Sequence, residues 1–301
     1  MKKQNPDSNQ IIPVATYNDT GADKQTIIRE NRGEKPLNPY YVTGFADGES
    51  SFIVIIRKEP RVKTGWRVEV RFSSCLHKRD LALLEHIKYS LGGVGNIANL
   101  GKDGILYQVT SLQDLTNVII PHFDKYPLIT QKKADFELFK RVVDIMNRKG
   151  HLSSEGLQEI VNIRASLNLG LSDVLKAAFP NTNLATRPLD QDQEIKDPNW
   201  LSGFACAEEC FFIDIAKSSS HKSGFRIQLK FKITQHSRDK QLMKNLVSYF
   251  GVGQYYPYST REAGDFFVRG FSDITQKIIP FFDKYPIVGA KALDYADFLR
   301  N

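Results

Sequence analysis

Two glutamates, Glu49 and Glu208, stand at matching places in two copies of one sequence pattern. Each closes a short segment that carries small residues, Thr43 and Gly44 in one and Ser202 and Gly203 in the other. Such residues let two helices approach closely. Glycine weakens an isolated helix by about 1 kcal/mol relative to alanine, so it needs a packing reason there. If the two helices pack together about a pseudo-twofold axis, both acids meet at one end of the seam. Converging carboxylates repel unless a cation sits between them. A hard divalent ion with oxygen ligands answers this, and Mg²⁺ suits phosphodiester chemistry. A lone glutamate here reads more readily as a solvated acid just past a helix end. Its recurrence at the duplicated position favours the metal-binding reading.

The duplication extends well beyond the glutamates. At the same offset Phe52 falls on Phe211 and Gly65 on Gly224. His77-Lys78-Arg79-Asp80 falls on His236-Ser237-Arg238-Asp239, and Pro121-His122-Phe123-Asp124-Lys125-Tyr126-Pro127 on Pro280-Phe281-Phe282-Asp283-Lys284-Tyr285-Pro286. The boundaries expected are a polar leader over 1–36, a first repeat over 37–179, a linker over 180–196 and a shorter second repeat over 197–301. Asn38-Pro39 and Asp197-Pro198 predict capped helix starts, with the helices ending near Asp47 and Cys206. Alternating strands follow. Trp66, Val68, Val70 and Phe72 are expected inside, with Arg67, Glu69, Arg71 and Ser73 outside. Phe225, Ile227, Leu229 and Phe231 are likewise expected inside, against Arg226, Gln228, Lys230 and Lys232. Helices over 78–91 and 237–250, hairpins over 95–111 and 253–269, and helices over 112–120 and 271–279 complete the shared unit. Repeat one adds helices over 131–148, 153–168 and 171–178.

Composition bounds the rest. Hydrophobic residues are 41% of the 301, enough for a packed core. No apolar run reaches the 18 or so residues of a membrane span. Three cysteines make no disulfide framework, and Cys206 and Cys210 lack zinc-site spacing. The leader lacks the apolar core of a signal peptide and is too acidic for a good transit peptide. A net charge of +7 permits a polyanionic partner without requiring one.

The segments Val42-Thr43-Gly44-Phe45-Ala46-Asp47-Gly48-Glu49-Ser50 and Leu201-Ser202-Gly203-Phe204-Ala205-Cys206-Ala207-Glu208-Glu209 resemble the two signature motifs of single-chain LAGLIDADG homing endonucleases. The likeness runs over about residues 37–301 and includes the Lys-Tyr-Pro-Leu-Ile-Thr-Gln-Lys segment at 125–132. It implies an α+β fold of tandem αββαββα repeats, with two saddle-shaped antiparallel sheets over double-stranded DNA. It implies metal-binding acids at Glu49 and Glu208, with backbone carbonyls of Gly48 and Ala207 as further metal ligands. Lys132, Lys133 and Lys291 resemble the family's basic residues near the cut site, where a lysine stabilises phosphate charge. It also implies a monomer acting in intron mobility, encoded in an organellar genome, most typically a fungal mitochondrial one. Two motif positions depart from the pattern. The ninth is usually Gly but is Ser50 and Glu209 here, and the sixth is Cys206 in the second copy.

With that frame, the outward residues Arg67, Glu69, Arg71, Ser73, Arg226, Gln228, Lys230 and Lys232 mix donors and acceptors as major-groove readout requires. The plainer alternative is that they solvate an exposed sheet. Gln235 could position an active-centre water, which its counterpart Leu76 cannot. His77 and His236 are expected to make structural hydrogen bonds at strand ends. Two other functions stay open from sequence: a maturase that binds intron RNA, and a DNA-binding remnant disabled by Glu209 or by the shorter second repeat.

Overall fold

The computed structural model describes residues 35–188, 193–220 and 222–300, leaving aside the side chains of Glu209 and Cys210. Leader residues 1–34 and linker residues 189–192 lie outside this description. Asn38 and Asp197 start the motif helices as expected. Their carboxamide and carboxylate oxygens accept from Tyr40 N (2.9 Å) and Asn199 N (2.8 Å), with proline at the next position in each. Helix α1 (Pro39–Glu49) runs straight into strand β1 (Ser50–Lys58), which pairs with β2 (Trp66–His77). Helix α2 (Leu81–Ser90), strands β3 (Asn96–Leu100) and β4 (Gly104–Val109), and helix α3 (112–125) follow. Helix α3 widens to a π-turn at Leu115–Ile119, next to Pro121, which has no N–H to continue the ladder. Helices α4 (Lys132–Asn147), α5 (Ser154–Ala165) and α6 (Asp173–Ala178) end the first repeat.

The second repeat copies the unit. It runs α7 (Pro198–Glu208), β5 (Glu209–Lys217), β6 (Phe225–His236), α8 (Lys240–Phe250), β7 (Gln254–Pro257), β8 (Ala263–Val268), α9 (271–284) and α10 (Ala290–Leu299). The result is two four-stranded antiparallel sheets, ordered β1-β2-β4-β3 and β5-β6-β8-β7. The α+β architecture is the expected one, and the aromatic cores repeat residue for residue. Phe52 packs on Phe72, Phe123, Phe136 and Phe139 with ring centroids 5.2–5.4 Å away. Phe211 packs on Phe231, Phe282, Tyr295 and Phe298 at 5.0–5.5 Å, every partner shifted by the same offset. Each such ring is worth roughly 1.5–3 kcal/mol of burial.

Three expectations change. Helix α1 extends two residues past Asp47, because Ser50 N–H still donates to Ala46 O; Glu49 and Glu208 therefore end their helices rather than follow them. Ser73 is buried, not open, since it lies mid-sheet between Ser51 and Gln108. Phe225 and Ile227 were expected inside but are 46% and 65% exposed. In repeat one the same end of the sheet is covered. Phe179 packs at a tilt on Trp66 with ring centroids 5.3 Å apart, and Arg164 and Asn168 donate to Val54 O and Phe52 O. Repeat two has no described counterpart to α5 and α6.

The described part of the linker is built into the structure. Arg187 bonds Asp135 (2.6 Å) and Gln131 O. Gln193 is buried between the repeats, donating to Ile129 O and Asp239 and accepting from Leu242 N.

Candidate active site at the helix seam

Helices α1 and α7 cross where their glycines meet. A Cβ on Gly44 would stand 1.9 Å from Trp200 O, and one on Gly203 would stand 2.0 Å from Tyr41 O. Backbone thus lies against backbone, and no side chain fits. Thr43 and Ser202 do not line this approach, contrary to the sequence expectation. Their hydroxyls donate to Tyr126 O (2.9 Å) and Tyr285 O (2.8 Å), fastening each seam helix to its Tyr-Pro turn. The sixth motif position also has a structural task. Asp47 Oδ2 accepts from Ile129 N and Trp200 Nε1, and Oδ1 from Thr130 N and Oγ1. Burial pushes its carboxyl up to about 6, against the pull of those donors and of Lys132. In the second copy the Cys206 thiol donates to Val288 O. Only the difference between Asp47 and Cys206 marked this position in the sequence.

The seam brings the two glutamates together. The Gly48 Cα faces the opposing helix so closely that an added Cβ would lie 3.1 Å from Glu208 Cγ and 2.3 Å from the Ala207 methyl. Burial, and then the charge of Glu208, hold the Glu49 carboxyl above the usual range. Burial likewise raises Glu208, while a hydrogen bond from Gln235 lowers it. That bond uses one donor of the Gln235 amide and leaves its second N–H and its carbonyl oxygen for a water. Lys132 donates to Ala46 O and Gly48 O, both at 2.9 Å, and burial holds its ammonium below the ordinary lysine range. Lys291 lines a cavity of about 270 Å³ with Glu49, Leu76, Asp80, Cys206 and Ala207. Lys133 instead lines a separate cavity with Tyr40 and Trp200. Glu209 opens β5; its side chain lies outside the description.

Among the described residues no cluster of three or more His, Cys, Asp or Glu could enclose a metal. Two half-buried carboxylates with raised pKa values, and backbone carbonyls beside them, suit a hard cation that completes its shell with water and substrate oxygens. Mg²⁺ is held in that way rather than in an all-protein cage. Gly48 O already accepts from Lys132, but a carbonyl oxygen has a second lone pair.

The sheet faces opposite the cores are polar and unequal. On the first, Glu69 is clamped between Arg57 (2.5 Å) and Arg67 (3.0 Å), so it organises cations rather than standing open. Arg71 has a buried Nε without a protein partner among the described residues. Ile53 and Ile55 pair with Arg71 and Glu69 and share their face, which charge patterning alone did not mark. On the second, Lys230 bonds Asp214 (2.8 Å) and lies over Phe212 and Phe267, Lys232 nears Asp265 (3.9 Å), and Arg226 is exposed beside the half-buried Gln228. His77 and His236 accept from Arg79 N and Arg238 N, capping the turns that leave β2 and β6. Cys75 is exposed on the first face.

Comparison with known proteins agrees with this geometry. The family model described as LAGLIDADG endonuclease matches residues 42–143 and again 201–301. "Probable intron-encoded endonuclease 3" of Neurospora crassa is 43% identical over 88% of this chain. "Probable intron-encoded endonuclease 2" of the same organism is 40% identical over 87%. The chain spans 50% and 59% of the lengths of those two relatives. Among solved structures, the I-SmaMI LAGLIDADG homing endonuclease bound to cleaved DNA matches with a TM-score of 0.87 and 45% identity, over 89% of this chain and 90% of that one. The same protein also matches bound to its uncleaved DNA target in the presence of calcium ions, and with lysine-to-alanine substitutions.

Proposed function

The chain belongs to the LAGLIDADG endonuclease family, and from that premise we propose that it is a site-specific, metal-dependent homing endonuclease that cuts both strands of a long, asymmetric DNA target. The observation that carries this reading is the meeting of Glu49 and Glu208, one from each repeat, at the end of the glycine seam. Glu49 and Glu208, with carbonyls of Gly48 and Ala207, would hold a divalent cation, Mg²⁺ in the cell. When bound, that cation would neutralise phosphate charge and polarise the attacking water. Lys132 and Lys291 supply positive charge beside the two acids, Lys132 from a fixed position on two carbonyls. Gln235 orients Glu208 through its hydrogen bond. Leu76 offers no such bond to Glu49, so the two halves of the centre differ chemically.

The open faces of β2 and β6 would enter the major groove, with Arg67, Arg71, Arg226, Gln228, Lys230 and Lys232 on base edges and phosphates. Two different faces imply two different half-sites. A monomer suffices, because both acids come from one chain. Intron mobility in a fungal genome is the biological setting the intron-encoded relatives support, and the family resemblance makes that genome a mitochondrial one.

The test is cleavage of a duplex spanning the intronless insertion junction, with Mg²⁺, Ca²⁺ or EDTA. A double-strand cut seen with Mg²⁺ alone and reduced at least a thousandfold in Glu49→Gln supports the proposal. Junction-specific binding without any cut in Mg²⁺ overturns it in favour of a DNA-binding remnant.

A further inference from the structure

The duplicated His-Lys/Ser-Arg-Asp segment contains two aspartates that the proposed chemistry leaves unused. Asp80 and Asp239 occupy the N-cap positions of α2 and α8, yet neither side chain caps its own helix. The preceding histidines already satisfy the turn, through His77 Nδ1 and His236 Nδ1. Both carboxylates reach across the molecule instead. Asp239, in repeat two, accepts from Gln131 N of repeat one at 2.7 Å; Asp80, in repeat one, accepts from Ala290 N of repeat two at 3.1 Å. At the receiving helices, α4 and α10, the N-cap residues Gln131 and Gly289 make no side-chain cap; at α4 Thr130 Oγ1 accepts from the next amide, Lys132 N, at 3.2 Å, and Gln131 N is left to Asp239. In both cases the bonded amide immediately precedes a lysine, Lys132 or Lys291. Asp239 is buried and also takes Gln193 Nε2 from the linker at 2.7 Å.

We propose that Asp80 and Asp239 are positioning residues that exchange caps between the repeats, so that each repeat fixes the lysine-bearing helix of the other. An N-cap acceptor both satisfies an orphan N–H and favours the helix dipole, which sets where the first turn starts. The turn that carries Lys132 is therefore held from repeat two as well as by Thr130 and the α1 carbonyls of its own repeat, and the turn that carries Lys291 is held from repeat one. Each half of the centre is thus tied to the other through one aspartate. This inference rests on the endonuclease reading for its kinetic consequence but not for its structural one.

Two measurements test it. The first is the rate of nicking of each strand of an end-labelled target by Asp80→Ala, Asp239→Ala, Lys132→Ala and Lys291→Ala. Asp239→Ala should slow the strand that Lys132→Ala slows, and Asp80→Ala the strand that Lys291→Ala slows, each on the order of tenfold more than the other strand. DNA affinity should change less than about twofold. Asp239→Asn, which keeps a carbonyl acceptor, should recover most of the rate. Equal slowing of both strands, or pairing of each aspartate with the lysine of its own repeat, overturns the proposal. The second measurement needs no DNA: amide hydrogen exchange. Asp239→Ala should raise exchange at least tenfold at the start of α4 in repeat one, and Asp80→Ala at the start of α10, with the starts of α8 and α2 unchanged. Exchange rising at the aspartate's own helix instead overturns it. If wild-type protein fails to cut any junction, the endonuclease reading falls and the exchange pattern alone decides the cap exchange.

Discussion

Gly44→Ala is the sharpest test of the seam. The added methyl would lie 1.9 Å from Trp200 O, 2.7 Å from Trp200 C and 2.9 Å from Phe204 N, against an ordinary contact of 3.4 Å or more. Every obstructing atom is backbone, so no rotamer change relieves the overlap. Either the helices part or the packing on both sides shifts. Overpacking of this kind costs about 3 kcal/mol, of which roughly 1 kcal/mol returns through the better helix propensity of alanine. The net expectation is a loss of about 2 kcal/mol, read from urea unfolding as a lower midpoint at unchanged slope. Gly203→Ala, with its methyl 2.0 Å from Tyr41 O, should cost a similar amount. The double variant should lose less than the sum, because helices already parted by one methyl accommodate the second. Parting the seam also separates Glu49 from Glu208, so Mg²⁺-dependent cleavage should fall more than stability does. A loss below about 0.5 kcal/mol, the size of an ordinary surface substitution, would refute the close-contact reasoning, as would strict additivity of the pair.

Other outcomes follow from the electrostatics. Glu49 and Glu208 have raised pKa values in the fold, so their contribution to stability weakens as pH rises through those values. Metal-free Glu49→Gln or Glu208→Gln should therefore unfold at or above the wild-type temperature at pH 7.5, and the order should reverse with Mg²⁺ present. His122 runs the other way. Burial lowers it from 6.5 to about 4, so the folded state loses up to about 3 kcal/mol as pH falls from 6.5 to 4. His122→Phe, which installs the residue found at the matching position Phe281, should flatten that acid limb in unfolding curves. Arg71→Ala should remove about 1–3 kcal/mol of discrimination at one base pair while leaving the rest of the target profile intact, as a binding screen over single substitutions would report.

The features that were legible in the sequence depend on local pattern or on repetition. The constant offset that carries Phe52 onto Phe211 and Gly65 onto Gly224 exposed the duplication. Period-two alternation marked the strand faces, and Asn38-Pro39 and Asp197-Pro198 marked helix starts. Glu49 and Glu208 stood out because they recur together with the seam glycines. Features that depend on distant partners did not show. Alternation placed Phe225 and Ile227 on the inner face, but whether that face is covered depends on helices far along the chain. Glu69 reads as an open acceptor until Arg57 and Arg67 close on it. Asp47 reads as a motif acid, and only its four donors reveal a buried anchor. The caps exchanged by Asp80 and Asp239 bridge residues more than a hundred positions apart, where no spacing rule reaches.

The central claim is that one acid from each repeat shares a divalent cation at the seam. Anomalous scattering from Mn²⁺ in crystals of the protein bound to its junction duplex would test it most directly. Density is expected within about 2.0–2.4 Å of a carboxylate oxygen of both Glu49 and Glu208. Metal density at neither glutamate, or at one of them alone, in crystals where the DNA is bound across both sheet faces, would contradict it.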